Sequence, residues 1–454
     1  MNPMILQKKY PKFIYEKYSY KISGNDLEIF FEFRINPDIV FNPKIIIENI
    51  EPKRIGEGEL DNLIFNLGMV ESLSYWKATC SKEIIVRAGY LNKDQIKWWK
   101  DLIIKGMGQF FFENKIDFRK SNFLNIKSES LKKNKVLGRK RSERILIPVG
   151  GGKDSIVTLE ALKKAKKNTG CFSLNPTGAA IRIMKIGCKN PIIAKRKMDE
   201  KLLQLNRKGF LNGHTPFSAY LAFLTVLLSE IFDYKYIALS NERSSNEGNV
   251  KYLGKEINHQ WSKSFDFEQK FRSYSKKYLS REIEYFSFLR PIYEIQIAKL
   301  FSGYHKYFPI FLSCNEAYKT NSGKKKPSKK WCGKCSKCLF AFVVLYPFIK
   351  EKELVKIFSK NLFNDKKLAL VMDELTGERN FKPFECVGTT KESLVAFYLS
   401  WQKAKKSGIL PFLLKYFEDK ILKNYPDLEK ESKKILNSWN SKNNLPKGFE
   451  RFLY

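Results

Sequence analysis

The stretch ILIPVGGGKDSIVTLEALKKA, residues 145–165, joins an apolar run to an amphipathic segment through three consecutive glycines. The apolar run predicts a buried strand, and the segment after the glycines has apolar residues at helical spacing. A Walker phosphate loop needs Gly, four further residues and then Gly-Lys-Ser/Thr. Here Asp154 follows Lys153, and Ile147 stands where the first glycine belongs. The dinucleotide pattern G-x-G-x-x-G fails as well, so both common glycine-rich loops are excluded.

The chemistry of this turn is nevertheless that of an anion site. Glycines let the backbone approach a phosphate closely, and the N–H groups at the start of the following helix point toward it. Lys153 adds a positive charge and Ser155 a hydroxyl donor. Asp154 would repel a phosphate unless it holds Mg²⁺ or a water molecule between itself and the anion. The alternative is a glycine-rich turn that binds no ligand.

The same turn resembles the PP-loop of the ATP pyrophosphatase superfamily, usually written S-G-G-x-D-S, with Gly150 in place of the first serine. That resemblance implies an enzyme that cleaves ATP between the α and β phosphates and adenylates an oxygen of its substrate. The ATP-binding residues that it implies are Gly150, Gly151, Gly152, Lys153, Asp154 and Ser155.

Patterning along the chain predicts an α/β protein of several units. Strand-like runs at Leu27–Ile35 and Pro43–Ile50 precede two helix-periodic segments, and from Ile145 strands and helices alternate, which favours a doubly wound parallel sheet. The predicted units are an N-terminal α+β domain at 1–127, a basic linker at 128–144, a PP-loop domain at 145–338 that ends in a zinc site, and a mainly helical region at 339–454.

Composition limits the class of protein. At 43% apolar residues over 454 positions, the chain can bury a core, which excludes a wholly disordered protein. No apolar run reaches the roughly 20 residues of a membrane-spanning helix, and the first residues lack a secretory signal. We therefore expect a cytoplasmic protein without a membrane span.

The chain is strongly basic, with 83 Lys and Arg against 47 Asp and Glu and a formal charge of +36. Such a charge is compatible with nucleic acid or with a polyanionic small substrate such as a nucleotide. Because lysine is spread along nearly the whole sequence, a general compositional bias explains the charge better than nucleic-acid binding does. The sequence does not define an oligomeric state.

Four of the eight cysteines have the spacing of a metal site. WCGKCSKC contains Cys332, Cys335 and Cys338, and Cys314 lies upstream. Four thiolates suit a closed, structural Zn²⁺ site, in which each C-x₂-C pair supplies two ligands from one turn. Cys386 competes with Cys314 for the fourth position. An iron–sulfur cluster and free buried thiols are the alternatives.

Three polar segments lie beside strand and helix signals, where α/β folds bind their ligands. They are GFLNGHTPFSAY (Gly209–Tyr220), ALSNERSSNEGN (Ala238–Asn249) and EINHQWSKSFDFE (Glu256–Glu268). Two of the three histidines in the chain, His214 and His259, fall in these segments. The alternative is ordinary capping and turn chemistry, with His259 as a core residue.

Taken in order, these motifs resemble the UDP-N-acetylmuramoyl-L-alanyl-L-glutamate epimerase family of bacterial peptidoglycan synthesis. The similar segments are VGGGKDS, LNGHTPFSA, SNERSSNEGN, NHQWSKS, WCGKCSKC and KPFECVGT, together with LGMVESLSYWKATC and WWKDLIIKGMGQFFFEN nearer the N-terminus. The resemblance covers most of the chain and becomes weaker after about Lys403.

The resemblance implies an ATP-dependent epimerase that converts the terminal L-Glu of UDP-MurNAc-L-Ala-L-Glu to D-Glu and releases AMP and pyrophosphate. Its implied cofactors are ATP, Mg²⁺ and structural Zn²⁺. The residue types competent for catalysis are those of Asp154, Glu242, Glu247 and His259. The candidates for substrate binding are Asn241, Arg243 and Lys263, and the metal ligands are Cys314, Cys332, Cys335 and Cys338.

Two other functions remain open from the sequence. One is another PP-loop enzyme that acts on a tRNA base or a purine precursor, for which a reactive cysteine near the loop, such as Cys171 or Cys188, would be a sign. The other is a non-enzymatic, basic zinc protein that binds nucleic acid.

Overall fold

The computed structural model describes residues 1–51, 56, 58–318, 330–408 and 410–453. These residues form a mixed α/β fold with one large sheet. Its strands are β1 (Lys12–Ser23), β2 (Asp26–Ile35), β3 (Ile39–Phe41), β4 (Lys44–Ile47), β5 (Glu83–Val86), β6 (Asn125–Ser128), β7 (Ile145–Pro148), β8 (Thr169–Leu174), β9 (Ile192–Lys197), β10 (Tyr236–Leu239) and β13 (Glu284–Ser287). Two further strands, β11 (Val250–Tyr252) and β12 (Lys255–Ile257), form a separate hairpin.

Helices lie between the strands and make up most of the C-terminal quarter. They are α1 (Pro3–Lys9), α2 (Asp61–Trp76), α3 (Lys93–Gly106), α4 (Gly108–Glu113), α5 (Lys153–Lys164), α6 (Gly178–Gly187), α7 (Glu200–Arg207), α8 (Phe217–Phe232), α9 (Phe265–Tyr278), α10 (Glu294–Phe301), α11 (Asn315–Tyr318), α12 (Ser336–Leu345), α13 (Glu351–Phe358), α14 (Ala369–Thr376), α15 (Thr390–Lys406), α16 (Phe412–Tyr416) and α17 (Leu428–Leu436).

The large sheet has the order β13-β10-β7-β8-β9-β4-β2-β1-β5-β6, with β3 paired to β2. All neighbours from β13 to β9 are parallel, as are β1, β5 and β6, whereas β4 is antiparallel to both β9 and β2. The β4–β9 pairing joins the N-terminal strands to the strands that follow Ile145, so one sheet continues across the predicted linker at 128–144. The linker itself contributes no strand beyond Ser128 apart from an isolated bridge at Leu137.

The strand order reverses at β7. From β7 the chain adds β8 and β9 on one side of the sheet and then returns to add β10 and β13 on the other. In an open α/β sheet, the loops at the carboxyl ends of the strands on either side of such a reversal form a crevice that binds ligands. The loops after β7, β10 and β13 therefore meet at one place.

Several elements predicted from the sequence are confirmed. The runs at Leu27–Ile35 and Pro43–Ile50 correspond to β2 and β4, the glycine-rich turn lies between β7 and α5, and the C-terminal region is mainly helical. Asn92 caps α3, because its side chain accepts a hydrogen bond from the Gln95 N–H. Six strands were not predicted from the sequence, namely β1, β3, β6, β11, β12 and β13.

Two hydrophobic clusters hold the fold together. One packs α2 and α8 against the N-terminal half of the sheet, and the other joins α5, α10, α12 and α15 around the glycine-rich turn. The helical C-terminal region thus packs against α10, the helix that follows β13. Of the helices that the structure describes, none combines the length and the apolar character that crossing a bilayer requires.

Candidate functional site

The glycine-rich turn follows β7 directly and leads into α5, with Gly152 at the N-cap position. Gly151 has φ of +103°, and a Cβ built there would lie 3.1 Å from the Ala179 Cβ and 3.3 Å from the Ala180 backbone nitrogen. At Gly150, by contrast, a Cβ would meet nothing within 4 Å. The turn therefore requires glycine at 151, and it is open toward solvent at 150, the position where the superfamily pattern has serine.

Three carboxylates converge beside this turn. Oxygen atoms of Asp154, Glu242 and Glu294 all lie within 4.8 Å of one another. Asp154 is in the first turn of α5, Glu242 follows β10, and Glu294 is the first residue of α10 after β13, so three neighbouring strands place them. A cluster of carboxylate oxygens is the ligand set that Mg²⁺ and Ca²⁺ prefer. Asp154 and Glu242 were predicted as site residues, whereas Glu294 was not, because its only local signal is an acidic residue at a helix start.

Lysine side chains partly neutralise the carboxylates. The Lys153 Nζ lies 2.5 Å from Asp154 Oδ1 and also pairs with Glu294, and the Lys337 Nζ is 4.0 Å from Glu294 Oε1. Burial lowers the pKa of Lys153, but the charges of Asp154 and Glu294 outweigh burial and raise this pKa above its ordinary value. Burial and the nearby Asp154 raise the pKa of Glu294. Lys153 is therefore a permanent cation at the turn.

Arg290 holds two of the site loops in place. Its guanidinium is fully buried, donates to the Glu242 carbonyl at 2.6 Å and to Ser245 Oγ at 2.9 Å, and also bonds the Lys263 carbonyl. Glu268 balances its charge at 3.2 Å. The segments that contain Glu242 and Lys263 are thus tied to each other through one side chain that the sequence analysis did not identify.

Lys263, His259 and His214 form a second group near the carboxylates. The Lys263 Nζ donates to the Cys386 Sγ at 3.1 Å, His259 Nδ1 lies 2.6 Å from Gln109 Oε1, and the His214 and His259 rings are 4.6 Å apart. The charges of Cys386, Glu242 and Asp154 raise the pKa of Lys263 despite its burial. The positive charge of Lys263 thus interacts with the carboxylates of Glu242 and Asp154 and also lowers the pKa of His214.

The remaining predicted residues are engaged elsewhere. Glu247 Oε1 accepts from Lys382 Nζ at 2.9 Å and from the Thr390 N–H at 3.0 Å. Arg243 donates to Ser438 Oγ at 2.8 Å and stacks over Tyr293, and Asn241 donates to Ser287 Oγ at 3.1 Å. In this conformation, Glu247 and Arg243 fasten the site loops to the C-terminal region.

The four predicted cysteine ligands come together. Their sulfur atoms lie within 4.8 Å of one another, with Cys335 3.5 Å from Cys338 and 3.9 Å from Cys314. A tetrahedral zinc with Zn–S bonds of about 2.3 Å requires sulfurs about 3.8 Å apart, so these positions fit the ion. Cys386, the alternative fourth ligand, lies instead against Lys263. Cys171 and Cys188 are joined by a disulfide, so neither is a free thiol beside the loop.

Comparison with known proteins decides the family. The family model for the MurL N-terminal domain matches residues 4–288, and the model for the MurL C-terminal domain matches residues 310–425. This chain belongs to the MurL family. The first match includes every strand of the large sheet, and the second includes all four clustered cysteines and the segment around Cys386.

Curated MurL-family proteins share this similarity over most of their length. A Micromonospora protein is 33% identical over 336 residues, 73% of each chain, and a Xanthomonas oryzae pv. oryzae protein is 31% identical over 340 residues, 75% of this chain and 74% of its own. A Salinispora tropica protein is 37% identical over 257 residues, 56% of this chain and 55% of its own. All three are named UDP-N-acetyl-alpha-D-muramoyl-L-alanyl-L-glutamate epimerase.

Proposed function

We propose that this MurL-family chain is a UDP-N-acetyl-alpha-D-muramoyl-L-alanyl-L-glutamate epimerase, which converts the terminal L-Glu of a UDP-linked muramoyl dipeptide to D-Glu for peptidoglycan precursor synthesis. The observation that carries the proposal is the similarity to three curated proteins of that name, two of them over about three quarters of this chain. A location in the cytoplasm remains a sequence prediction.

We propose further that the reaction depends on ATP and passes through an adenylate of the glutamate carboxylate. A proton on the carbon next to an ionised carboxylate is very weakly acidic, because its removal places negative charge beside negative charge. Esterification of the carboxylate to AMP removes that charge and creates an acyl carbonyl that can stabilise the carbanion as an enolate. Each pKa unit gained lowers the free-energy cost of deprotonation by about 1.4 kcal/mol.

The residues of the crevice have the properties that this chemistry requires. The open backbone at Gly150, the N-terminus of α5 and the charge of Lys153 favour binding of a triphosphate. Asp154, Glu242 and Glu294 would hold Mg²⁺ through their carboxylate oxygens, and the ion would supply positive charge beside the phosphates. Lys263, beside the same carboxylates, is a candidate for binding the anionic substrate.

The cysteine cluster supports a structural zinc site in this proposal. Four thiolates leave no open coordination position for a substrate, so the ion would act on the fold. It would fix the start of α12, which carries Lys337 to the carboxylate cluster. Binding of nucleic acid has no part in the proposal.

The test uses the purified chain with ATP, Mg²⁺ and UDP-MurNAc-L-Ala-L-Glu. We expect release of AMP and pyrophosphate and, after acid hydrolysis, D-Glu on chiral chromatography. Asp154→Asn should reduce AMP formation at least about 100-fold, because it removes a carboxylate charge from the cluster while keeping the shape of the side chain. The matched control is Asp94→Asn on α3, which removes an exposed carboxylate paired with Lys277 at 3.0 Å.

Three results would contradict the proposal. Formation of AMP only when tRNA or a purine precursor is supplied would favour the other PP-loop function. Accumulation of ADP in place of AMP would exclude adenylation. If Asp154→Asn kept full turnover, the carboxylate cluster would not be the site of the reaction.

A further inference from the structure

Cys386 lies beside the carboxylate cluster although it is 232 positions after Asp154 in the sequence. The Lys337 ammonium donates to the Cys386 carbonyl and is also 4.0 Å from Glu294 Oε1. The neighbouring Glu385 accepts from Ser336 Oγ at 2.8 Å and from the Lys337 N–H at 2.7 Å. The start of α12 thus holds the Cys386 backbone next to the cluster.

The side chain of Cys386 faces cationic groups. The Lys263 ammonium donates to its sulfur at 3.1 Å, and the His259 side chain also hydrogen bonds to it. Burial raises the pKa of the Cys386 thiol, but Lys263, His259 and Lys337 outweigh burial and lower it to about 5. The acidic groups that face this assembly are Glu242 and Asp154, which act on Lys263. At neutral pH the sulfur is therefore a thiolate.

Among the residues that the structure describes, Cys386 has neither of the structural roles that other cysteines of this chain have. Cys386 belongs neither to the four-cysteine cluster nor to the disulfide. The buried Cys80 offers a contrast within the chain, because its apolar surroundings raise the pKa of its thiol to about 12. A half-buried, charged sulfur at the edge of a crevice has the environment typical of a reactive cysteine.

The proposed epimerisation requires a base that none of the other described candidates supplies as well. Glu247 is bonded to Lys382 and to the Thr390 N–H. The Glu242 and Asp154 carboxylates belong to the set that would bind Mg²⁺. His259 has Nδ1 bonded to Gln109 and hydrogen bonds to the cysteine itself.

We propose that the Cys386 sulfur is the base that removes the α-proton of the activated glutamate. The inference rests on the proposed function and adds the residue that moves the proton. In this step the Cα–H bond breaks, an S–H bond forms, and the electron pair of the C–H bond moves into the acyl carbonyl to give an enolate. The enolate carbon then takes a proton from a water molecule on its opposite face, which inverts the configuration. Cys386 returns its own proton to solvent, so the thiolate is restored.

Lys263 and His259 are positioning residues in this scheme. Their charge and hydrogen bonds keep the sulfur ionised and aimed at one location, and Lys337 fixes the backbone behind it. The arrangement also separates the two half-reactions in space: the glycine-rich turn and Lys153 serve the phosphates, and Cys386 serves the α-carbon.

The experiment compares wild type with Cys386→Ser in two assays that report separate steps. Substrate-dependent exchange of labelled pyrophosphate into ATP reports adenylation alone, and incorporation of deuterium from heavy water at the glutamate α-carbon reports proton transfer. We expect Cys386→Ser to keep pyrophosphate exchange within about threefold and to lose α-deuteration by at least about 100-fold, the usual contribution of a general base. Cys80→Ser, a change of the same kind outside the crevice, controls for loss of any thiol.

A second measurement tests the surroundings of the sulfur. The rate of Cys386 alkylation by iodoacetamide, followed by mass spectrometry of its peptide, should have a midpoint near pH 5 in wild type. In Lys263→Met that midpoint should move upward by at least one pH unit, because the nearest cation is lost. A structural role alone would not move the midpoint.

The outcomes separate this inference from the proposed function. If wild type lacked pyrophosphate exchange, the proposed function would fail. If wild type exchanged pyrophosphate and Cys386→Ser still deuterated the α-carbon at the wild-type rate, only the role of Cys386 would be wrong. Loss of both activities in a Cys386→Ser protein that retains the wild-type melting temperature would also overturn the role, since it would place the cysteine before adenylation.

Discussion

A substitution at Gly151 tests whether the function of the turn between β7 and α5 depends on the backbone conformation of that turn. Its φ of +103° is a conformation that residues with a Cβ rarely adopt, at a cost of about 1–3 kcal/mol. A Cβ there would also lie 3.1 Å from the Ala179 Cβ, 3.2 Å from Thr177 Oγ1 and 3.3 Å from the Ala180 nitrogen. The first two atoms are side-chain atoms close to the backbone, and the third is backbone, so the neighbours cannot move away easily.

For Gly151→Ala, we expect backbone strain plus overpacking to destabilise the fold by roughly 2–5 kcal/mol. Unfolding entropy near the melting temperature is about 2.1 cal/mol/K per residue, so a chain of this length should melt about 2–5 °C lower. If the turn relaxes instead, its N–H groups turn away from the phosphates. A loss of 2 kcal/mol of binding would then lower kcat/KM for ATP by roughly 30-fold.

The assay is differential scanning calorimetry together with AMP formation at several ATP concentrations. Gly150→Ala is the matched control for stability, because a Cβ at 150 meets nothing within 4 Å. We expect its melting temperature to stay within about 1 °C of wild type. Wild-type melting and wild-type use of ATP in Gly151→Ala would refute the reasoning, since the turn would then accept any residue at 151.

Two further predictions concern the metal and the response to pH. Zinc analysis should find one ion per chain. Cys335→Ser should lose both the ion and the epimerase activity, because the start of α12, which carries Lys337, is then no longer fixed. A wild-type protein that is fully active without metal would contradict this prediction. The pKa of His214 is lowered to about 3 by burial and by the nearby His259, Lys77 and Lys263. Below about pH 6.5 the unfolded chain therefore binds a proton at this residue that the folded chain does not bind. The free energy of unfolding falls as the pH falls from about 6.5 toward 3. His214→Asn should remove up to about 2 kcal/mol of the loss in unfolding free energy between pH 6.5 and 5, measured by urea titration at the two pH values.

Most of the crevice architecture could be predicted from the sequence because its signals are local. The apolar run, the glycines and the amphipathic segment after them predicted β7, the turn and α5. The C-x₂-C spacings predicted the cysteine cluster, and the structure resolves the choice between Cys314 and Cys386 as its fourth member. β13 was missed because its four residues, Glu284–Ser287, include a glutamate and a serine and so lack the apolar run that marks β7.

The role of each charged side chain was harder to predict from its position. Glu247 and Arg243 lie in the same polar segment as Glu242, yet they bond to the C-terminal region, while Glu242 turns into the carboxylate cluster. A loop sequence specifies residue types, but which side of the loop faces the crevice depends on partners such as Arg290, whose bonds define the loop path.

The sequence by itself determined the α/β class, the glycine-rich turn between a strand and a helix, and three members of the cysteine cluster, since each depends on residues close together in the chain. Only the tertiary structure brought Glu294, Lys337 and Cys386 to Asp154 and joined the N-terminal strands to the parallel strands in one sheet. The physical reason is the distance along the chain over which each kind of interaction acts. Hydrophobic periodicity and turn chemistry act over a few residues, whereas the contact between Lys153 and Glu294 spans 141 positions and forms only when parallel strands align their carboxyl ends.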